Sequence, residues 1–401
     1  MKSFISLEEA IEILNDNVET LEIEEVSLVE AIGRQVGVDI YSGMDNPPFN
    51  KSAMDGYAIE VGNSHNHREK LEVIDTLFAG HVSEKCVAHG TAIRIMTGAM
   101  IPEGANAVVK QEDITKEGKF IILNKDLKEN ENICFRGEDV GVGTLLVNKN
   151  KKINYADLGI LASAGINTVK VYRKPKIALI TTGDEVIDVD KELIGGKIYN
   201  SNKYTLLGRI AELGFEVNYI EHEGDSFEEI GNKIKKASEV ADLILTTGGV
   251  SVGEKDLLDE AINYINGEIL FWKVLIKPGS AVLCSKVNSK LVISLSGNPT
   301  ATLTTFELIG KTSLEKLSGS HSIEIKREKA TLTNSFTKPS MQRRFLRGMV
   351  SADEEGQKVT ITQVKSGNGI LSSALNSNCL IEINKGNSGI NAGELIEIIK
   401  L

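Results

Sequence analysis

Apolar and polar positions follow three rhythms along this chain. Near the start the rhythm is helical. Ser6-Leu7-Glu8-Glu9 has the form of a capping box, and the apolar spacing after it predicts a helix to about Asn15. Further helices are predicted over Ser27–Ile32 and Tyr155–Ala164. Between them, Asp45-Asn46-Pro47-Pro48-Phe49 breaks the pattern, because two prolines cannot continue a helix. From Asn46 to Asp139 short apolar runs such as Leu71–Ile74 and Phe120–Leu123 sit between turns and predict a small β domain. With helices on both sides, that domain is expected to be inserted into a helical one.

After Lys174-Pro175 the rhythm changes. Ile177–Ile180, Val217–Ile220, Ala241–Thr247 and Leu291–Leu295 predict strands. Helices are predicted over Asn202–Leu213, over Phe227–Ala237, in a stretch ending at Ile265, and after Pro299 through Leu308. Such alternation predicts a parallel, doubly wound α/β sheet. Three strands run into small-residue loops: Thr182-Gly183, Thr247-Gly248-Gly249 and Ser296-Gly297-Asn298. Ligands bind outside the carboxyl ends of such strands, so these loops are expected to line one edge. From Ile323 to Leu401 β-like runs return, among them Val359–Thr362 and Leu380–Ile383, and predict a small barrel. The expected division is a helical domain of 1–45 with 141–172, an inserted β domain of 46–140, an α/β domain of 173–322 and a C-terminal β-barrel of 323–401.

The length of 401 residues suits roughly two to four domains. A net charge of -11 argues against a general nucleic-acid binder. It leaves room for an anionic small molecule, since a few lysines or a bound metal reverse the local field. Cys86, Cys134, Cys284 and Cys379 are far apart and form no Cys-x-x-Cys pair, so zinc-finger spacing is absent. They are expected to be small buried hydrophobes in a reducing compartment. No apolar signal core follows Met1, and no apolar run approaches about 18 residues, so the expectation is a soluble cytoplasmic protein without a membrane partner.

The densest chemistry lies between Ala241 and Asp256: a buried strand, the Gly248-Gly249 turn, then Ser251, Glu254 and Asp256 in an acidic helix start. Small residues before a helix let backbone N–H groups approach a phosphate. Glu254 and Asp256 suit Mg²⁺ or phosphate-linked chemistry, although a first-turn acid also complements the helix dipole. Asp184, in Thr182-Gly183-Asp184-Glu185, either caps the next element or meets a ligand; Asp225, in Gly224-Asp225-Ser226, is either an N-cap or a metal contact. Ser52–Ala58 presents Asp55 on a loop, unless Asp55-Gly56 is only a hairpin turn. Thr97 is a donor to an anion or a turn hydroxyl. Glu138 and Asp139 lie between glycines, in a solvated turn or against a metal or substrate. Lys273 and Lys277 are placed on one face of an apolar strand, which is costly without an anion. The six histidines show no metal spacing.

Six segments occur in order: Pro48–Ala58, Arg94–Ala99, Gly137–Asp139, Thr182–Glu185, Gly248–Asp256 and Phe271–Gly279. Together they resemble the molybdopterin molybdenumtransferase family (MoeA, related to the C-terminal domain of gephyrin). The resemblance implies four domains, with a MogA-like molybdopterin-binding α/β domain, and an elongated homodimer. The site would lie between the α/β domain of one subunit and the β domain of the other. It implies that molybdate enters adenylylated molybdopterin with hydrolysis of the adenylyl group and release of AMP, with Mg²⁺. The molybdopterin adenylyltransferase and recipient molybdoenzymes are implied as partners. Asp55, Asp139, Glu185 and Asp256 would be catalytic, and Glu185, Asp225 and Asp256 would meet the metal. Substrate would be held by Thr97, Thr182, Gly183, Asp184, Gly248, Gly249, Ser251, Lys273, Lys277, Pro278, Gly297 and Asn298. The chain departs from the family's pattern at Asn200, Ser280, Ser296 and Gln342, several of them where molybdate would bind. Rival readings are a nucleotidyltransferase acting on molybdopterin, a tungstate-specific paralogue and a non-catalytic scaffold.

Overall fold

The computed structural model describes residues 2–62, 67–250, 257–321, 323–354, 356–362 and 371–401. Ser251, Glu254 and Asp256 lie outside the described residues. Two compact units form: Met1–Glu24 with Gly33–Gln35 and Tyr172–Leu401, and Glu25–Ile32 with Val36–Val171.

In the first unit a seven-stranded sheet has the order Lys2–Ile5, Glu268–Val274, Val282–Val287, Lys290–Leu295, Leu243–Thr247, Ile177–Thr182, Val217–Glu223. The expected all-parallel sheet is mixed instead: Val282–Val287 runs against both neighbours. It pairs with Lys290–Leu295 through Asn288-Ser289, whose φ angles of 49° and 63° give the two left-handed residues a tight hairpin needs. Both faces of the sheet are covered. Ile177, Leu179, Leu243 and Leu245 point into one core; Ala178, Ile180 and Ile244 point into the other. A strand buried on both sides has no polar alternation, which is why these segments are continuous apolar runs.

The amino terminus departs from expectation. Lys2–Ile5 pairs in parallel with Glu268–Val274. The helix Leu7–Asn17 follows, capped by Ser6 Oγ, which accepts the Glu9 N–H at 3.1 Å. Its buried residues Leu7, Ala10 and Leu14 join the core of the seven-stranded sheet, so this helix does not belong to a separate helical domain.

Asp242 ties the start of the central strand to its surroundings. It accepts from Arg173 at 2.8 and 3.1 Å, from Lys176 N–H at 2.9 Å and from Lys290 at 3.2 Å. Burial pushes its carboxyl up, but these donors outweigh burial and hold it at about 2, below the ordinary 3.8. A depressed carboxyl contributes stability that is present above the unfolded value and lost as pH falls through the folded one. Equilibrium unfolding between pH 4 and 2 is therefore expected to show a loss on the order of 2 kcal/mol that Asp242→Asn lacks.

The carboxyl-terminal part of this unit is a closed barrel of five strands. Arg343–Asp353, Gly356–Ile361, Glu328–Leu332, Leu395–Lys400 and Cys379–Ile383 follow in order, and the last pairs back onto the first. Cys379 and Cys284 are buried, as expected for small hydrophobes, and burial pushes the Cys379 thiol up to about 11. Cys86 is exposed, against that expectation.

In the second unit a six-stranded sheet has the order Ala107–Lys110, Gly56–Ile59, Thr91–Ile95, Lys70–Leu77, Phe120–Leu123, Ile114–Glu117. Its entry and exit run side by side, with Asn46 N–H donating to Val140 O at 2.7 Å. The flanking segments form a small cluster of Val36, Val147, Ile153, Leu161, Val169 and Val171. Among the described residues this body has one α-helix, Tyr155–Ser163, opened by a capping box of Asn154 and Asp157. The helix expected over Ser27–Ile32 is a single 3₁₀ turn, Val29–Ala31. Short strand pairs such as Ile40–Tyr41 with Leu145–Val147 supply the rest. No helix among the described residues is long and apolar enough to cross a membrane.

Candidate functional site

Three parallel strands of the first unit finish at one level, where Thr181 lies opposite Thr247 and Thr247 opposite Leu295. The loops that leave them wall a cleft of about 400 Å³, with Thr182, Gly183, Gly248, Gly249, Gly297 and Asn298 on its surface. Val186 and the segment Ile198–Asn202 form another part of the wall. The strand-end location expected from the loops is therefore where the structure places an opening.

The loops are held close by backbone geometry. Gly248 has φ +102°, and a Cβ there would lie 2.5 Å from Thr182 Oγ1 and 2.9 Å from Thr182 O. Thr182 Oγ1 in turn donates to Thr247 O at 3.2 Å. Asn298 Oδ1 accepts from Thr300 and Ala301 N–H, and Asn202 Nδ2 donates to Gly297 O at 2.9 Å. These polar side chains hold loop backbone in place.

The twelve-residue helix Ser201–Glu212 begins at the cleft. Asn200 caps it, accepting the Lys203 N–H at 3.1 Å. The positive end of its dipole thus faces the opening, which favours an anion. Asn200 Nδ2 also donates to Thr181 Oγ1 at 2.9 Å, and Thr181 Oγ1 lies 3.0 Å from His222 Nδ1. In the neutral ring Nδ1 meets this hydroxyl whichever of the two donates, so the imidazole is tied to the helix start through Thr181. Burial pushes the His222 imidazole below its usual range, in keeping with that neutral form.

Among the described residues, two carboxylates line the cleft, Glu185 and Asp225. Glu185 packs over the turn before it: a Cβ on Gly183 would come within 2.8 Å of its Oε2. Asp225 is not the cap of the following helix; Ser226 is, accepting the Glu229 N–H at 3.3 Å, which leaves Asp225 on the cleft wall. Asp184 braces the neighbouring turn, its Oδ1 accepting the Asp225 N–H at 3.1 Å, and does not line the cleft. Among the described residues no cluster of three metal-ligating side chains exists. The donor set here is two carboxylates beside an anion-attracting wall, which fits a cation that takes one or two carboxylates and completes its shell from substrate phosphate and water, as Mg²⁺ does.

Lys273, Lys277 and Pro278 do not line this cleft. The two lysines also do not share one strand face. The first strand ends at Val274, and Ile276–Lys277 instead pairs with the barrel, Lys277 opposite Arg344. Lys273 is buried at 8 % exposure and has φ +65°.

In the second unit, Asp55 and Thr97 come together. The Thr97 N–H and hydroxyl both donate to Asp55 Oδ1, at 2.8 and 2.7 Å. These two donors, the backbone one first, hold the exposed carboxyl below its ordinary range. Asp55-Gly56 is not a hairpin turn. Gly56 opens a strand between two others, and a Cβ there would lie 1.8 Å from Val109 O. Asp139 accepts from Asn46 Nδ2 at 3.0 Å, at the neck of the inserted sheet.

Sequence reasoning missed Thr181, Tyr199, Ser201, Asn202 and His222. The signal for the helix start was present in Asn200-Ser201-Asn202, a run of capping residues before an amphipathic helix.

Comparison with known proteins covers almost the whole chain. Residues 5–165 match the model of the MoeA N-terminal region (domain I and II), 178–316 that of a probable molybdopterin binding domain, and 329–401 that of the MoeA C-terminal region (domain IV). The molybdopterin molybdenumtransferase of Staphylococcus epidermidis is 37% identical over 400 residues, 98% of this chain and 95% of the relative. That of Staphylococcus aureus is 35% identical over 399 residues, with the same shares. The molybdopterin biosynthesis MoeA protein from Pyrococcus horikoshii OT3 superposes with a TM-score of 0.81 at 32% identity, covering 99% of this chain and 100% of that one. A molybdenum cofactor biosynthesis protein from Pyrococcus furiosus, at 21% identity and a TM-score of 0.60, shares the fold.

Proposed function

Because this chain belongs to the MoeA family of molybdopterin molybdenumtransferases, enzymes of molybdenum cofactor biosynthesis, we propose that its strand-end cleft takes adenylylated molybdopterin and molybdate and releases AMP as molybdenum is inserted. The observation that carries this reading is the pairing of Glu185 and Asp225 with glycine loops and a capped helix start in one cleft. Gly249 and Gly297 bring main chain to the cleft wall, where backbone N–H groups suit phosphate oxygens. The helix start at Asn200 adds its dipole.

Glu185 and Asp225 would hold Mg²⁺, with Asp256 as the third acid named by the sequence. When bound, the ion supplies neutralisation of phosphoryl charge. Hydrolysis forms a bond from water oxygen to phosphorus and breaks the phosphoanhydride, so that AMP leaves and the pterin keeps its phosphate. The chain's residues orient that anhydride and keep its charge matched. We also place the chain in a homodimer in which Asp55 of a second copy approaches the cleft. Support for this comes from its exposed carboxylate, held ionised by Thr97.

AMP release from adenylylated molybdopterin, measured with and without molybdate and Mg²⁺, tests the reading. Release that needs both is the expected result. Turnover of ATP on bare molybdopterin would place the chain among nucleotidyltransferases instead. Release with tungstate alone would assign the departures at Ser280 and Ser296 to oxyanion choice.

A further inference from the structure

The strands Lys2–Ile5 and Glu268–Val274 share a distortion that nothing in the cleft accounts for. Their register sets Ser3 opposite Trp272 and Ile5 opposite Val274. Between these pairs, Phe4 has φ +55° and Lys273 has φ +65°. Neither is a glycine, and left-handed backbone is costly for side chains of this size. Two such residues on adjacent strands at one level are held there by surrounding structure.

The distortion has a clear effect on Lys273. Neighbours on a regular strand point to opposite faces. The left-handed turn breaks that rule and folds the ammonium over the preceding indole, with Nζ 3.8 Å from the Trp272 ring centroid. The same Nζ lies 5.2 Å from the Phe4 ring. Among the described residues no carboxylate is paired with this buried ammonium. The indole Nε1 donates to Val250 O at 3.3 Å, and Val250 follows Gly248-Gly249 on the cleft wall.

We propose that Phe4 and Trp272 are positioning residues, which hold the Lys273 ammonium in one place, with its N–H donors unspent, for an oxyanion of the substrate where it extends past the Val250 wall of the cleft. The proposal rests on the function assigned above. Aromatic faces attract a cation through their quadrupole and accept no conventional hydrogen bond, so the three N–H donors stay available. A carboxylate in the same place would compete with the incoming anion. Through Val250, the indole also links this ammonium to the glycine turn of the cleft.

The test uses the full chain with Phe4→Leu, Phe4→Tyr, Lys273→Met and the double variant Phe4→Leu with Lys273→Met. Phe4 is 57% exposed, so its replacement leaves the core untouched. Phe4→Leu is expected to raise the Kd for adenylylated molybdopterin about three- to fivefold, with Phe4→Tyr near wild type. With Lys273→Met already present, Phe4→Leu should add nothing, because the pair acts as a unit. An equal loss in both backgrounds would make Phe4 a packing residue and overturn the proposal. Trp272 is the single tryptophan of the chain, so its emission reads the pair directly. Lys273→Met should change that emission in the ligand-free protein; unchanged emission overturns the proposed contact. If the emission changes but wild type fails to bind adenylylated molybdopterin, the functional reading falls and the oxyanion role falls with it, while the aromatic cradle stands.

Discussion

Glu185→Gln is expected to lower the proposed release of AMP by about 100- to 1000-fold, the range found when one charge-stabilising group is removed from a preorganised site. The exchange keeps shape and removes charge. Glu185 sits on the cleft wall, so the melting temperature is expected to stay at the wild-type value. Raising Mg²⁺ separates two origins of the loss. Partial recovery at high Mg²⁺ assigns Glu185 to the ion, whereas a loss independent of Mg²⁺ assigns it to the substrate. Mixing Glu185→Gln chains with Asp55→Asn chains tests the composite site in the same assay. If the proposed homodimer forms, part of the rate should recover, since some mixed pairs would hold one site with both acids intact. A wild-type rate for Glu185→Gln alone would remove this residue from the chemistry.

Gly248→Ala should be the most damaging single methyl in the first unit's cleft. The residue stands at φ +102°, and its new Cβ would lie 2.5 Å from Thr182 Oγ1 and 2.9 Å from Thr182 O. The hydroxyl can rotate away, but the carbonyl belongs to the strand. Strain and overpacking together are expected to cost about 2–4 kcal/mol, read from denaturant unfolding. Gly297→Ala is the control. Its Cβ would meet Gly248 Cα at an ordinary 3.7 Å, so stability should fall by less than about 0.5 kcal/mol. If both variants unfold alike, the close approach at Gly248 is not what holds the loops together.

What the sequence made legible was periodicity. The buried strands Ile177–Thr182 and Leu243–Thr247 were plain because burial on both faces leaves no polar position. The three small-residue loops then followed from strand polarity, and all three line the cleft. What escaped depended on backbone angles and distant partners. Asn288-Ser289 is a weaker hairpin signal than Asn-Gly, so the antiparallel strand was lost. Lys273 and Lys277 looked like one strand face because spacing carries no information about a left-handed residue. Gly56 looked like half of a turn, although its role is to let Val109 O pass, a partner more than fifty residues away. Lys2–Ile5 held too few residues to show a pattern, and only its pairing reveals it as an edge strand.

The contact between Asn46 and Val140 bears on how the second unit assembles. Without the inserted sheet, closing its base would mean bringing together chain ends separated by roughly ninety residues, at the entropic cost of a long loop. The six-stranded sheet delivers both ends side by side once it has formed. Formation of the insert thereby turns a distant encounter into a local one. An insert that forms first would let Val36, Val147, Leu161 and Val171 condense around ends already joined.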